Sequence, residues 1–326
     1  MIAPLLEIKN LHVGFDIYGG HLKVLDGVTF AVGKGAKVGL VGETGCGKTT
    51  TMKSVMRILP IPPGRLTEGE IFFKESDLLR VNLKKVRGVK GKGISMIFQD
   101  PTAALNPVFT IGRQLMDVVK YSKGAGENQA KDTIKDRAIN ALKDVSMPDP
   151  ERIMENYPIQ LSGGMRQRVC IAMALVTGSE LLIADEPTTS LDVTIQDQVL
   201  RLLGNLVEEK RNSTILITHS LGIVREWTDR VYVMYAGSMV EAAPTKGLFS
   251  NPLHPYTQGL MKAVPKLTGE GIAEGVPGRI PNYLNPPSGC RFHPRCPHVM
   301  RICEQERPPF FNAGSDHQVA CFLYKE

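Results

Sequence analysis

Short apolar runs alternate with amphipathic stretches over about the first 250 residues. The apolar runs are nearly continuous and end in polar residues, as strands buried on both faces of a parallel sheet do. They lie at Lys37–Val41, Ile94–Phe98, Leu181–Asp185 and Thr214–Thr218. The amphipathic stretches predict helices at Lys48–Leu59, Gly164–Val176, Thr194–Lys210 and Leu221–Asp229. This alternation predicts an α/β fold with a mostly parallel sheet, and ligands at the carboxyl ends of its strands.

Two departures from this pattern divide the chain. Between about Thr110 and Tyr157 the strand pattern is absent and residues 129–145 have a helical pattern, which predicts a helical subdomain over about residues 105–165. Of the 22 prolines, 11 fall between Pro252 and Pro309, and four of the six cysteines lie beyond residue 289. We therefore expect a compact domain over residues 1–250 and a small loop-rich extension over residues 251–326.

Composition excludes several classes of protein. The 326 residues are 42% hydrophobic and 22% charged, as in an ordinary globular protein. No apolar run approaches the roughly 20 residues that span a bilayer, and the first residues lack the pattern of a signal peptide. We expect a cytoplasmic chain that is at most peripheral to a membrane. The net charge of +6 is a small excess, and the basic run at residues 84–92 is typical of a solvated face rather than of nucleic-acid binding.

A glycine-rich loop follows the first of the predicted strands directly. The stretch Gly42-Glu-Thr-Gly-Cys-Gly-Lys-Thr49 fits the pattern G-x-x-x-x-G-K followed by Ser or Thr. Its glycines let successive N–H groups face one centre, and the next helix adds its positive N-terminal end. We expect Lys48 to reach the β- and γ-phosphates of a nucleotide and the Thr49 hydroxyl to bind Mg²⁺. The predicted nucleotide-binding residues of this loop are Gly42, Glu43, Thr44, Gly45, Cys46, Gly47, Lys48, Thr49 and Thr50.

Polar residues at other strand ends predict a hydrolytic centre. Asp185 ends a buried strand and is placed to hold Mg²⁺, whereas Glu186 is the candidate to polarise the attacking water. Gln99 follows the strand at 94–98 and could contact both Mg²⁺ and that water. His219 follows the strand at 214–218 and could contact the γ-phosphate. Each of these residues also has a structural interpretation when it is considered alone. Carboxylates at a strand end can cap the next helix, and Asp192 has the position of a helix N-cap. A single histidine after a strand is more often a hydrogen-bonded loop residue than a catalytic one.

A second predicted helix N-terminus that can bind an anion distinguishes this chain from simple P-loop enzymes, which need only one. Leu161-Ser-Gly-Gly-Met-Arg-Gln precedes a helical segment and lies ahead of the acidic strand. With this motif the sequence resembles the ABC-type ATPase family over roughly residues 5–250. The matching motifs are residues 42–49, Gln99, residues 161–167, residues 181–186, Ser190–Asp192 and His219.

That resemblance implies a P-loop ATPase with a parallel sheet core, an N-terminal antiparallel β region and a helical subdomain. Phe15 stands where the family stacks an aromatic ring on adenine, although the usual residue there is Tyr. In the family two cassettes pack head to tail, so that Ser162, Gly163, Gly164 and Asp192 of one chain face the nucleotide of the other. ATP binding closes the pair, and hydrolysis lets it open.

The four clustered cysteines suggest a metal centre. Cys290, Cys296, Cys303 and Cys321 lie in a loop-rich segment, and such a cluster in a cytoplasmic protein favours metal over disulfides. Four thiolates suit an iron–sulfur cluster. The C-x2-C pairs that are usual for structural zinc are absent, which makes a zinc site less favoured. Because His293, His298 and His317 lie nearby, a mixed Cys/His zinc site stays open, as does a tail without metal.

The extension also resembles a known segment. Asn251–Leu260 and Gly289–Cys296 look like the C-terminal extension of oligopeptide and dipeptide importer ATPases, in which four such cysteines are associated with a 4Fe–4S cluster. The resemblance implies an ATPase at the cytoplasmic face of the membrane. Its expected partners are a second, related cassette, two permease subunits and, indirectly, an extracellular solute-binding protein. An importer for nickel or short glycosides, or a soluble ABC protein, are the alternatives.

Overall fold

The computed structural model describes residues 3–122, 131–189, 191–263, 275–314 and 316–325. The chain forms two compact units, Met1–Arg80 with Thr218–Glu326 and Val81–Ile217. Numbered along the chain, the strands are β1 Leu6–Ile17, β2 Gly20–Val32, β3 Lys37–Val41, β4 Gly64–Phe73, β5 Ser76–Asp77, β6 Ile94–Ile97, β7 Leu181–Asp185, β8 Ser213–Ile217, β9 Arg230–Tyr235, β10 Ser238–Pro244, β11 Phe311–Asn312 and β12 Gln318–Val319. The helices are α1 Lys48–Val55, α2 Leu83–Val89, α3 Pro101–Ala104, α4 Ile111–Ser122, α5 Lys131–Asp144, α6 Pro150–Glu155, α7 Gly163–Leu175, α8 Val193–Lys210, α9 Leu221–Trp227, α10 Thr245–Ser250, α11 Pro255–Lys262 and α12 Arg301–Gln305.

The first unit contains the expected antiparallel region. Strands β2, β1, β4 and β5 form a four-stranded sheet in that order, and Leu6 on β1 pairs with Val32 on one side and Phe73 on the other. Every other residue along much of β1 is buried, which fits a sheet with one face on the core. The same unit pairs β3 with β9 in parallel, with Val41 opposite Val233.

The extension adds strands to the first unit instead of forming its own sheet. Strand β10 runs antiparallel to β9, and the two-residue strand β12 pairs with β10 through Glu241 and Val319. Two aromatic residues of the extension, Tyr256 and Phe292, belong to the buried apolar cluster of this unit. Their rings lie 4.7 and 5.0 Å from the ring of Tyr235. The extension therefore shares a core with the strands before it, and the boundary at residue 250 stays a prediction.

The second unit carries three parallel strands and the helical region. Strand β7 pairs in parallel with β6 and with β8, so that Leu181 lies opposite Ile94 and Ser213. All residues of these strands are buried, as the continuous apolar runs predict. Helices α4, α5 and α6 fall within the predicted helical subdomain. The first two residues of the predicted helix 129–145 lie outside the described residues.

Predicted and observed element bounds agree most closely for the buried strands. The strands predicted at 37–41 and 181–185 have the same bounds in the structure. The helix predicted from Lys48 to Leu59 ends earlier, at Val55, and Arg57 just beyond it has a positive φ of 49°. In the described parts of the chain, no helix is long and apolar enough to cross a membrane.

Candidate nucleotide site

The glycine-rich loop between β3 and α1 requires its glycines. Gly42, Gly45 and Gly47 have φ values of 153°, 84° and 111°, a range that other residues rarely adopt. A side chain at Gly42 would also clash with the carbonyl oxygen of Met234. Gly47 is the N-cap residue of α1, so the loop leads directly into the first turn of that helix. The backbone thus has the curled form in which N–H groups converge on a bound anion.

Lys48 lies inside this loop. Its side chain is buried, and Nζ donates hydrogen bonds to the carbonyl oxygens of Gly42 and Glu43, at 2.8 and 3.0 Å. Cys46 is fully buried, and burial raises the pKa of its thiol, so it stays neutral and packs as a small apolar residue. Thr49, one of the predicted magnesium ligands, is half-buried at the start of α1. The loop therefore concentrates donors and one cation, which suits a polyphosphate.

His219 lies beside the loop in the same unit. Its Nε2 is 3.5 Å from Oγ1 of the exposed Thr44. The two residues line one groove with the beginning of α9 and with Leu260 and Ala263 at the end of α11. His219, which is predicted to contact the γ-phosphate, thus lies beside the predicted phosphate-binding loop.

The predicted hydrolytic residues of the second unit converge on one carboxylate. Glu186 follows β7 with a φ of 46°, is 7% exposed, and donates its N–H to the carbonyl of Ile217 at 2.9 Å. Its Oε2 accepts a hydrogen bond from Gln99 Nε2 at 2.7 Å and another from Thr189 Oγ1 at 3.1 Å. Asp185, at the end of the strand, is also buried. Two donors thus fix the orientation of the Glu186 carboxylate, as a water-polarising group requires.

The second anion-binding helix start is exposed. Ser162 is the N-cap of α7, and its side chain accepts a hydrogen bond from Met165 N at 3.3 Å. A side chain at Gly164 would lie 2.8 Å from Ile195, so this glycine lets α7 approach α8 closely. Ser162 and Gly163 are exposed. Asp192 occupies the N-cap position of α8 without a side-chain capping bond, and Ser190 of the same motif lies outside the described residues.

Phe15 lies on β1, opposite Leu22 of β2 and Gly64 of β4, and is half-buried. A Cβ at Gly64 would lie 3.4 Å from Cε1 of Phe15. A half-buried aromatic ring keeps part of its apolar surface for stacking on a base. The role of Phe15 with adenine stays a prediction.

The four cysteines of the extension line one small cavity. Cys290, Cys296, Cys303 and Cys321 meet there with His254, His293 and His298, whereas His317 lies elsewhere, with Nε2 2.7 Å from Glu241. Burial raises the pKa of the Cys290 and Cys296 thiols, and that of Cys321 to about 11. Across the described ranges, no group of three or more His, Cys, Asp or Glu side chains is arranged to hold a metal ion. The 4Fe–4S cluster is therefore not shown.

All four cysteine side chains that line this cavity are buried or half-buried. Negative charge on the other cysteines raises the pKa of Cys321, as expected where thiols crowd together. Thiolates are ligands for both iron and zinc, so these residues fit a metal centre by their chemistry, whereas their arrangement in the described residues does not form one.

Three side chains of the extension that touch the phosphate-binding loop are not predicted by the sequence. Tyr256, Tyr283 and Arg295 form hydrogen bonds with residues 43 and 45 of that loop. No spacing rule links positions more than 200 residues apart. The one available signal was the presence of aromatic residues and arginines in a proline-rich segment that has too little core of its own to bury them.

The phosphate-binding loop, the acidic strand end and the serine-capped helix start define a nucleotide-binding cassette of the ABC type. A family model described as "ABC transporter" matches residues 25–189, and one described as "Oligopeptide/dipeptide transporter, C-terminal region" matches residues 240–303. The chain belongs to the oligopeptide/dipeptide family of ABC transporter ATP-binding subunits, and it is an ATPase of that family.

Relatives of similar length agree with this assignment. The chain is 45% identical to the dipeptide transport ATP-binding protein DppD of Bacillus subtilis, over 99% of this chain and 95% of the relative. It is 43% identical to the oligopeptide transport ATP-binding protein OppD of the same species, over 99% and 89%.

Solved structures support the fold. The dimeric bacterial ABC transporter cassette MJ0796 has a TM-score of 0.65 at 24% identity, over 74% of this chain and 98% of that chain. CbiO1 from Clostridium perfringens has a TM-score of 0.61 at 26% identity, over 77% and 92%. The predicted α/β cassette fold is therefore confirmed.

Proposed function

We propose that this chain is the ATP-hydrolysing subunit of an importer for di- or oligopeptides. The observation that carries the cargo class is the match to the oligopeptide/dipeptide transporter C-terminal region, added to near full-length similarity to peptide transport relatives. The chain would act at the cytoplasmic face of the membrane as a peripheral subunit. Its partners would be a second, related cassette and two permease subunits, with a solute-binding protein acting outside the cell.

The chain's own residues divide the chemistry between binding and hydrolysis. The N–H groups of residues 42–49 and the Lys48 ammonium would bind the phosphates, while Phe15 would stack on adenine. Thr49, Asp185 and Gln99 would hold Mg²⁺, which neutralises phosphate charge when bound. Their oxygens are the ligand type that this ion prefers.

Hydrolysis would depend on Glu186 and His219. Glu186 would orient and polarise the attacking water, and the Gln99 and Thr189 hydrogen bonds support this role by fixing its carboxylate. His219 would contact the γ-phosphate from beside Thr44. Ser162, Gly163, Gly164 and Asp192 would complete the site of the partner cassette, because one chain has a single signature motif and cannot close over its own nucleotide.

We also propose that Cys290, Cys296, Cys303 and Cys321 bind a 4Fe–4S cluster, with zinc as the alternative. The lining of one small cavity by all four cysteines supports this. The cluster would supply the stability that a core-poor segment lacks. Brown, anaerobically purified protein that contains iron and acid-labile sulfide is expected. Colourless protein with stoichiometric zinc would contradict it.

An uptake experiment tests the cargo. A strain lacking this gene is complemented with the wild-type chain or with Glu186→Gln, and uptake of labelled dipeptides, pentapeptides, nickel and a short glycoside is measured. We expect only the wild-type chain to restore peptide uptake. Restored nickel or glycoside uptake with unchanged peptide uptake would instead assign the chain to an importer of that solute.

A further inference from the structure

Three side chains of the extension hold the phosphate-binding loop. The Tyr256 hydroxyl accepts a hydrogen bond from Glu43 N at 2.8 Å, and the Tyr283 hydroxyl donates one to the carbonyl of Gly45 at 2.7 Å. Arg295 forms a two-pronged pair with the Glu43 carboxylate, Nη1 to Oε2 at 2.9 Å and Nη2 to Oε1 at 3.0 Å. All of these residues lie within the first compact unit.

Arg295 is itself held firmly. Its side chain is only 5% exposed, and its Nε and Nη2 donate to the carbonyls of Pro277 and Val276, at 2.7 and 2.8 Å. The guanidinium also lies over the Tyr235 ring, 5.6 Å from its centroid. A bidentate pair between an arginine and a carboxylate is directional, and here the low exposure and the additional bonds leave the arginine little freedom. Glu43 is therefore fixed by a rigid partner.

These contacts set the orientation of peptide groups within the loop. A peptide bond is planar, so fixing its C=O also fixes its N–H. The peptide between Gly42 and Glu43 is held on both sides, because Lys48 binds its C=O and Tyr256 binds its N–H. The Tyr283 bond to the Gly45 carbonyl likewise fixes the next peptide, whose N–H, on Cys46, donates to the carbonyl of Glu43 at 3.2 Å. With these two peptides fixed, the curled form of the loop is held, and that form decides how the remaining N–H groups of the loop face phosphate oxygens.

We infer that the extension is a brace for the phosphate-binding loop, with Arg295 and Tyr283 as positioning residues that raise its affinity for MgATP. This inference rests on the proposed role of the loop in nucleotide binding. Arg295 directly precedes Cys296, which lines the thiol cavity. A structural change at Cys296 would therefore reach the Glu43 carboxylate through the neighbouring residue, Arg295.

Matched variants of the full-length chain test the brace. Tyr283→Phe removes only the hydroxyl on Gly45, and Tyr324→Phe removes a hydroxyl that donates to the carbonyl of Leu253 at 3.0 Å, away from the loop. Arg295→Met is compared with Arg301→Met, an exposed arginine of the same extension. The dissociation constant for a fluorescent ATP analogue with Mg²⁺ is measured, together with the melting temperature of the nucleotide-free protein.

We expect the dissociation constant to rise about tenfold in Arg295→Met and about threefold in Tyr283→Phe, with both controls within about twofold of wild type. Arg295→Lys keeps the positive charge but cannot form the two-pronged pair with Glu43. Its affinity for MgATP should therefore lie between those of Arg295→Met and wild type. Adding Glu43→Gln to Arg295→Met should cost no further affinity, because both changes break one pair.

Two results would overturn the brace. The first is an unchanged dissociation constant in Tyr283→Phe and Arg295→Met while wild type binds MgATP, which leaves the proposed function standing. The second is a rise in the dissociation constant that is equally large in the controls Tyr324→Phe and Arg301→Met, which would show a general effect of changing the extension. If Arg295→Met fails to fold, Tyr283→Phe decides alone. A wild-type chain that does not bind MgATP would refute both the brace and the proposed function.

Discussion

The phosphate-binding loop and the cysteine-rich extension lie in the same compact unit but are built in opposite ways. The loop joins a buried strand to an eight-residue helix, and its form depends on glycine backbone angles. The described part of the extension beyond residue 274 has only short elements, the longest of them the five-residue α12. Its small apolar cluster consists of Leu253, Val319 and Cys321, with Tyr324 packed against it.

The difference shows where each region obtains its order. The loop takes its form mainly from consecutive residues, the glycines and the start of α1, so a short continuous motif predicts its function, and the contacts from the extension add to that form. The extension is held by side chains that bond to distant backbone groups, such as Tyr324 to Leu253 and Arg295 to Pro277. A segment of that kind has little stability of its own and is where a metal centre would contribute most.

Removing the loop's cation should have the largest effect. Lys48→Ala is expected to weaken MgATP binding by roughly 10³-fold, because two or more charge-assisted hydrogen bonds to phosphate are lost. Lys53→Ala, in the last turn of the same helix, is the control and should bind normally. Equilibrium binding to each purified variant checks this. Equal affinity in the two variants would remove Lys48 from the nucleotide site and weaken the contrast with the extension.

Changing a cysteine should separate the two regions. Cys290→Ser is expected to lower metal content to well below one equivalent and to speed proteolysis within the extension, because a metal ligand is lost. Cys170→Ser is the control, since Cys170 is a buried residue of α7 whose pKa burial raises to about 12. Metal analysis and limited proteolysis provide the readouts. Unchanged metal content in Cys290→Ser would refute the proposed ligand set.

Acid should destabilise the extension through His254, with a smaller effect. Burial lowers the pKa of His254 from 6.5 to about 3, and its Nδ1 accepts a hydrogen bond from Tyr256 N. Below pH 6.5 His254 is protonated in the unfolded chain but stays neutral in the folded chain, so the free energy of unfolding decreases as the pH falls towards 3. The slope is about 1.4 kcal/mol per pH unit.

His254→Asn keeps an acceptor for the helix start and removes the titrating group. Unfolding measured between pH 4 and 7 should therefore show a flatter pH dependence in His254→Asn than in wild type. The same slope in both proteins would show that His254 is not responsible.

The sequence predicts the cassette well because its chemistry is local. Strand β3, the loop and α1 are consecutive, and the bounds of β3 and β7 follow from unbroken apolar runs. The convergence of Gln99 on Glu186 is also predictable, because both follow parallel strands that pair directly. Helix ends are less predictable: α1 ends at Val55, four residues before the predicted end at Leu59, and Arg57 just beyond it has a positive φ.

The extension could be predicted only in part. Cysteine counting finds the thiol set, but spacing does not reveal that four sulfurs line one cavity, or whether iron or zinc would bind there. Nor does it reveal that Tyr256 and Phe292 complete the core beside Tyr235. These contacts join residues far apart in the chain, and neither hydrophobic periodicity nor a motif encodes them.

Glu186 is proposed to polarise the attacking water at a site that binds ATP without it. MgATP affinity and turnover are measured on wild type, Glu186→Gln and Glu180→Gln, which changes the carboxylate at the opposite end of the same strand. We predict that Glu186→Gln lowers turnover by at least about 10²-fold and leaves the dissociation constant within about twofold, while Glu180→Gln matches wild type. Undiminished hydrolysis in Glu186→Gln would contradict this account.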